Sequence, residues 1–458
     1  MIEKTINLVT PGILDDQPLT ETRWLKFQFE TYAKTLARII TSRDTITPLT
    51  IGIHGEWGSG KTTLLKILKR KLEEIEEDPI TSFISRGEED NFRSCKVVWF
   101  NAWKYSKQEE IFVALFEEIV KQMDRNGFIG KIRKKDLMKD ELKVAEFLLS
   151  ASSQILSLGK VDLDLSKFQK ESNFRKNMAF YDEFQDALDK LVASYTGREK
   201  DGILVILIDD LDRCLPSQTI QVLEAIKPFM DRSGCIFVLG ADINTVAAAV
   251  EAHYTAEHLE RIKGMDYLDK IIQVRFLLPP IRAQDIDEFI MDLPNIGSGI
   301  KEYLRLITSG VKTNPRKIKT FLNHFELQCA LMMNMGLITT SKDEERLVEW
   351  LVLSEISPCL CDKIKQIEND DDKIALISKM KEIAEASEKQ REKLVKMEDD
   401  EQIKEFAANE RLLKVLKEGE FSFTHQNIGL YVHLSRAPSI KIPLTTGGYF
   451  DDYVAAEC

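Results

Sequence analysis

The stretch "TIGIHGEWGSGKTTLLKILKRKLEEI", Thr50 to Ile75, changes character twice. Thr50-Ile51-Gly52-Ile53-His54 has the build of a short buried strand, and "LLKILKRKLEEI" repeats leucine and isoleucine at helical spacing. Between them lies "GEWGSGKTT", in which Gly55, Gly60, Lys61 and Thr62 match the phosphate-loop pattern, in the strand–loop–helix setting that the pattern requires. Each residue type has a physical reason. Glycines at 55, 58 and 60 reach backbone conformations closed to other residues. That turns successive N–H groups inward at the positive end of a helix dipole, where a phosphate belongs. Lys61 supplies a point charge to the β/γ oxygens of a nucleotide, and Thr62 a hydroxyl to Mg2+. Gly55, Glu56, Trp57, Gly58, Ser59, Gly60, Lys61, Thr62 and Thr63 are therefore the expected nucleotide-binding residues.

Such a loop needs an acid to hold the metal. "GILVILIDDLDRC", Gly202 to Cys214, is a continuous apolar run ending in two aspartates, the pattern of a strand buried on both faces. Asp209, at the carboxyl end of that strand, is expected to hold Mg2+ opposite Thr62. Asp210 is placed to orient or deprotonate the attacking water. Lys61, Asp209 and Asp210 are thus the catalytic candidates, and Thr62 and Asp209 the metal candidates. No N-K-x-D motif of guanine readers and no L-S-G-G-Q transporter signature occurs, which favours ATP as the nucleotide.

Further strands are legible on either side. "KVVWFNAWKYS", Lys96 to Ser106, runs from a strand into Asn101, Trp103 and Tyr105, whereas loops are usually built from Gly, Pro, Asn, Asp and Ser. "GCIFVLGAD", Gly234 to Asp242, reads as a buried strand ending in a residue that either senses the γ-phosphate (Asp242 or Asn244) or caps the next helix. "YLDKIIQVRFLLPP", Tyr267 to Pro280, reads as a fifth strand. Strands near 49–54, 96–100, 203–209, 235–240 and 271–276, with helical patterns between, predict an α/β fold with a parallel sheet wrapped by helices. Ligands of such sheets bind beyond the strands' carboxyl ends, so Asn101, Trp103 and Tyr105 should emerge on the nucleotide side. Either this loop packs beside the acidic strand's end and couples the γ-phosphate to the helical insertion, or Trp99 and Trp103 are core anchors for that insertion.

The totals set limits. A chain of 458 residues with a formal net charge of −12 is ill suited to coating nucleic acid, which needs a basic surface. Seven cysteines in so long a chain suggest no disulfide framework, and Cys359 and Cys361 read as buried or incidental thiols. The start, "MIEKTINLVTPG", lacks the build of a signal peptide, and no apolar run approaches ~18–20 residues, so a cytoplasmic protein without a membrane span is expected. The six histidines are scattered, with no H-E-x-x-H spacing.

Taken together, "GIHGEWGSGKTTLL", "VVWFNAWKY", "ILIDDLDRC", "IFVLGADINTV", "YLDKIIQVRFLLPP" and "TNPRKIKTFLN" resemble the KAP family of P-loop NTPases, over roughly residues 15 to 325. The resemblance implies a P-loop NTPase sheet of the additional-strand type, with a helical subdomain after the sheet. It also implies that Arg316 is a sensor arginine reaching for the γ-phosphate, the alternative being a solvated basic helix end with Lys317 and Lys319. Arg213 is either an arginine finger in trans or, by its position, part of an internal ion pair with Asp212 or its neighbours. Two departures from the family stand out. Many members carry transmembrane helices where this chain has a charged, amphipathic insertion at about 125–200, and Arg275 stands where a small residue or proline is common.

The expected organisation is an N-terminal helical segment, 1–48, packing on the NTPase core; the core at 49–280; a helical subdomain at 281–345; and a charged, all-α C-terminal region with its tail at 346–458. Within 1–48, "WLKFQFETYAKTLARII" is amphipathic, and within the last region Ile364 to Glu418 reads as a solvated helical hairpin, or else a partner-binding arm. The functional expectation is a Mg2+-dependent ATPase used as a conformational switch toward partner proteins or copies of itself. The resemblance suggests antiviral defence as its setting. An ATP-stabilised scaffold with negligible turnover is the alternative.

Overall fold

The computed structural model describes residues 12–15, 27–77, 91–105, individual helical positions within 111–122, and then 202–227, 233–256, 262–293, 298–311, 313–425 and 427–434. The insertion at about 125–200, the tail after 434 and Trp24 lie outside the described residues. The chain divides into two compact units, one of residues 18–279 and one of 1–17 with 280–458.

The first unit is built on five parallel strands: β1 (Leu49–His54), β2 (Cys95–Asn101), β3 (Ile203–Asp209), β4 (Cys235–Ala241) and β5 (Val274–Leu277), in the order β2-β3-β4-β1-β5. All seven residues of β3 and all seven of β4 are buried. That explains their unbroken apolar runs, because helices cover both faces of a parallel sheet. Leu204, Ile206 and Ile208 join one core with Phe237, Leu239 and Leu223. Helix α2 (Lys61–Glu77) packs against β2, β3 and β4, and α1 (Phe29–Thr41) packs on α2. Each fully buried leucine or isoleucine here contributes about 1.5–3 kcal/mol by leaving water.

β4 lies between β3 and β1, so the acidic strand and the phosphate-loop strand are not neighbours. Gly240 makes the crossing possible. A Cβ there would come within 2.4 Å of Leu65 Cδ1, so the missing side chain admits α2 close over β4, with Asp209 Oδ1 beside it.

The fifth strand is shorter than expected. After α3 (Pro216–Ile226) and α4 (Ile243–Ala256), Gly264–Asp269 forms helix α5, and pairing with β1 runs only from Val274 to Leu277. Ile271 and Ile272, expected in the strand, instead lie in the turn after α5, where their N–H groups donate to Leu268 O, and all three residues are buried in the core. Arg275, on this exposed edge strand, pairs with Asp269.

The second unit is helical: α6 (Ala283–Asp292), α7 (Leu304–Gly310), α8 (Pro315–Asn334), α9 (Ser341–Ile356), α10 (Pro358–Gln366), α11 (Asp370–Glu385), α12 (Glu388–Lys396), α13 (Glu401–Ala408), α14 (Glu410–Glu418) and α15 (Ile428–Leu434). Its centre is α9, where every residue from Leu347 to Leu353 is buried, Glu349 among them. The solvated hairpin expected over 364–418 is instead four helices, of which α11, α13 and α14 bury apolar faces and α12 buries none. Leu376, Met380, Phe406, Leu413 and Leu416 are buried, and the breaks fall at side-chain caps: Asp400 accepts from Gln402 N–H, and Asn409 from Arg411 and Leu412 N–H.

Two other expectations change. Phe29–Thr41 packs on the sheet unit through α2, but Leu14 exchanges two hydrogen bonds with Asn323 of α8, and Asp15 O accepts from Lys319. Cys361 is a buried free thiol, whereas Cys359 is disulfide-bonded. No described helix is long and apolar enough to cross a membrane.

Candidate nucleotide site

The turn from β1 into α2 has the backbone that its glycines allow. Gly58 has φ 87° and Gly60 φ 101°, conformations that L side chains rarely adopt. A Cβ on Gly60 would also lie 2.7 Å from the Phe29 ring, and one on Gly55 2.6 Å from Ser59 Oγ. Lys61 is 7% exposed. Its ammonium donates to Gly55 O at 2.8 Å and Glu56 O at 3.2 Å, and lies 3.2 Å from Asp212 Oδ2.

The acidic strand arrives from two places away in the sheet. Thr62 Oγ1 donates to Asp209 Oδ1 at 3.1 Å, joining residues 147 positions apart. Asp209 is 2% exposed, and its pKa is pushed up to about 6, first by burial and then by the neighbouring Asp210 charge, against the Thr62 hydrogen bond. Asp210 turns away in the left-handed region, φ 59° and ψ 30°. That conformation is unusual for a residue other than glycine, though aspartate tolerates it. Both its carboxylate oxygens are engaged: Asn101 Nδ2 donates to Oδ2 at 2.7 Å, and Arg213 Nε lies 2.9 Å from Oδ1.

Register explains the meeting. Asn101 is the β-ladder partner of Asp209, and Ala102 N–H donates to Asp209 O, so the end of β2 sits beside the end of β3. Asn101 Oδ1 in turn accepts from Lys104 N–H at 2.8 Å, which fixes the amide from both sides. The aromatic loop divides its labour. Tyr105 is buried, stacked on Phe100 at 5.0 Å and hydrogen-bonded to Glu118, whereas Trp103 is 53% exposed. Phe100 and Tyr105 therefore anchor the end of β2 in the core; the insertion that Trp99 and Trp103 were expected to anchor lies outside the described residues. The Arg213 guanidinium stands over Trp103 at 5.5 Å and over Trp57 at 6.0 Å, a cation–π arrangement.

Three other candidates have local partners within their own units. Asp242 is a cap, accepting from Asn244 N–H at the start of α4. Arg213 is in an internal pair, with Asp210 rather than Asp212. Arg316 lies in the first turn of α8, in the helical unit, and Asn314 caps that turn by accepting from Arg316 and Lys317 N–H.

The residues fit a nucleotide's phosphates and a magnesium ion. Ser59 Oγ is a buried polar atom without a hydrogen-bond partner, in a cradle that a Cβ on Gly55 would fill. Thr62 and Asp209 offer hard oxygen donors side by side. Among the described residues no group of three or more His, Cys, Asp or Glu is placed to hold a metal. Magnesium does not need one, since it is held by one or two carboxylates together with phosphate oxygens.

The sequence profile of the KAP family P-loop domain matches residues 29–332, from α1 to near the end of α8. The chain belongs to the KAP family. Over 273 residues it is 27% identical to the Phage T7 exclusion protein of Escherichia coli K12, an alignment that takes in 57% of this chain. This KAP chain matches only 34% of that relative's own length. Among solved structures, the ORC2 protein of Aeropyrum pernix in ADPNP–ADP complexes is 14% identical, with a TM-score of 0.38 over 92% of this chain and 88% of that one. The ORC1 protein of Aeropyrum pernix in complex with DNA is 11% identical, with a TM-score of 0.35 over 84% and 85%. Likeness of that degree places no ligand in this KAP chain.

Three contacts of this KAP site escape a reading of the sequence. Phe29 backs Gly60 from an amphipathic helix with no motif of its own. Asn101 meets Asp210 directly rather than through the loop as a whole. Asp212 had a visible signal, a third acid in "DDLDRC", but only the turn of Leu211–Arg213 shows that it faces Lys61.

Proposed function

We propose that this protein is a Mg2+-dependent ATPase that uses nucleotide binding and hydrolysis as a conformational switch, signalling to partner proteins or to copies of itself. The observation that carries the reading is the Thr62–Asp209 hydrogen bond, which brings a phosphate loop and a buried acid together across an intervening strand.

The roles derive from that geometry. Backbone N–H groups of 55–63 receive the β-phosphate at the start of α2. Lys61 moves its charge onto the β/γ oxygens, and Thr62 with ionised Asp209 would hold the metal. Magnesium, when bound, neutralises charge that develops on the transferring phosphoryl oxygens. Asp210 positions the attacking water and accepts its proton. In this arrangement each Asp210 oxygen already has one partner, Asn101 or Arg213, so the water shares its acceptor with one of them. Arg316 is assigned the sensing of the γ-phosphate on family resemblance. The name of the Escherichia coli relative supports exclusion of bacteriophage as the biological setting.

ATP turnover by the wild type against Lys61→Ala and Asp210→Asn tests the reading. Asp210→Asn should retain ATP and lose hydrolysis about 10²–10⁴-fold, the range for a positioned acid or base. Lys61→Ala should lose affinity. A folded Lys61→Ala protein that holds ATP as tightly as the wild type overturns the reading. The clamped state of Asp210 also favours a second reading, an ATP-stabilised scaffold with negligible turnover. Equal, near-zero turnover in the wild type and Asp210→Asn, with ATP still bound, selects it.

A further inference from the structure

The three acids of "DDLDRC" have three separate partner sets. Asp209 faces Thr62. Asp210 faces Asn101 and Arg213. Asp212 turns back under the phosphate loop, with its side chain 8% exposed. There its Oδ2 lies 3.2 Å from the Lys61 ammonium and accepts from Asp242 N–H at 2.9 Å. Asp242 comes directly after the last residue of β4 and caps α4, so one carboxylate oxygen joins the phosphate-binding lysine to the end of the central strand. The turn that carries Asp212 is held by the buried Leu211, and by Arg213 and Cys214 N–H donating to Asp210 O and Leu211 O.

The Lys61 ammonium has three protons, and this structure supplies three acceptors: Gly55 O, Glu56 O and Asp212 Oδ2. All three belong to the protein. A phosphate group must therefore displace one of the three, and its anionic competitor is a carboxylate almost fully removed from water, where charge pairs are weakly screened. The same carboxylate, left behind, faces the incoming anion.

We infer that Asp212 is a positioning residue that competes with phosphate for Lys61 and, by releasing it, passes the presence of phosphate to the end of β4 and the start of α4. The inference deepens the nucleotide reading above and rests on it. Binding exchanges one anionic partner of Lys61 for another, with no bond formed or broken. Asp212 then keeps only the Asp242 N–H, which places the adjustment at the Leu211–Arg213 turn and the cap of α4.

The test is calorimetric titration of ATP into the full-length wild type and Asp212→Asn, each with Mg2+ and in EDTA. Asparagine keeps the size and an oxygen for the Asp242 N–H but removes the competing charge. ATP affinity should rise about tenfold under both conditions, the effect of deleting one like charge at a buried anion site. A residue with a merely structural role would not tighten binding when replaced. Unchanged affinity overturns the inference, and affinity lost only with Mg2+ also overturns it by making Asp212 a metal ligand. A wild type that binds no ATP in either condition removes the nucleotide reading itself, a different result from unequal or equal binding by two competent proteins. If Asp212→Asn folds poorly, urea denaturation decides through the pair. Lys61→Met should lower the midpoint by stranding a buried carboxylate, and adding Asp212→Asn should restore it. A midpoint that falls further on adding Asp212→Asn overturns the pairing.

Discussion

Asp209 in the sheet unit and Glu349 in the helical unit are buried to the same degree, 2% and 1% exposed, and burial raises both pKa values, to about 6 and about 7. Their surroundings differ. Asp209 stands at the open end of a parallel sheet with Asp210 and Asp212 as negative neighbours and a threonine hydroxyl as partner. Glu349 sits in the middle of α9 and accepts from Phe421 N–H at 2.7 Å, where the chain after α14 wraps around it. Gly419 approaches so closely that a Cβ would lie 3.1 Å from Glu349 Oε1, and Phe421 takes φ 46°. One acid is crowded by like charge. The other replaces a missing backbone partner. Burial alone says that an acid matters; its neighbours say for what.

The widest separation between the two should appear in turnover. Asp209→Asn should lower ATP hydrolysis by about 10³-fold, as loss of a metal-holding charge does, whereas Glu349→Gln should leave it within about twofold. Steady-state phosphate release checks both, and equal losses would erase the contrast.

Stability should reverse the ranking. Glu349→Ala leaves Phe421 N–H unsatisfied and opens a cavity beside Gly419, at a cost of about 3 kcal/mol. Glu349→Gln keeps the acceptor and should cost less than about 1 kcal/mol. Urea midpoints measure the difference.

A smaller effect concerns Asp209 and pH. Its pKa is raised in the folded chain from an ordinary 3.8 to about 6, so the unfolded chain loses this proton first as pH rises. Its contribution to stability is complete below about pH 3.8 and is lost as pH rises through about 6. Asp209→Asn should therefore stabilise the metal-free protein at pH 8 by about 2 kcal/mol. Glu349 behaves with the same sign between its ordinary 4.5 and about 7, so stability between pH 5 and 8 should fall less steeply in Glu349→Gln. Magnesium separates the pair again: it should reverse the loss at Asp209 and do nothing at Glu349.

The smallest effect lies at the rim. Trp103→Ala removes one face from Arg213 and should change stability by only about 0.5–1 kcal/mol. A much larger loss would mean that Trp103 is an anchor after all.

Much of the sheet unit was legible because its signals are local. Four strands had their ends placed within one or two residues, and the loop at 55–63 announced itself by glycine spacing. The fifth strand misled because Ile271 and Ile272 are β-branched and apolar, yet both are buried in the turn between α5 and the strand, and pairing starts only at Val274. In the helical unit, charge hid the packing. Residues 364–418 look solvated on average, yet Leu412, Leu413, Val415 and Leu416 form an apolar stripe on α14, and Asp400 and Asn409 mark the starts of α13 and α14. Caps, read before composition, would have divided that stretch.

The sequence by itself determined the phosphate loop, the acidic strand and the alternation of strand with helix, because turn chemistry and periodicity act within a few residues. Only the tertiary structure decided which acid meets which partner. Asp209, Asp210 and Asp212 are near neighbours in the chain, but strand order and register bring Thr62, Asn101 and Lys61 to them from 147, 109 and 151 positions away. Contacts of that range are set by how a whole sheet stacks, and no short stretch of residues carries that information.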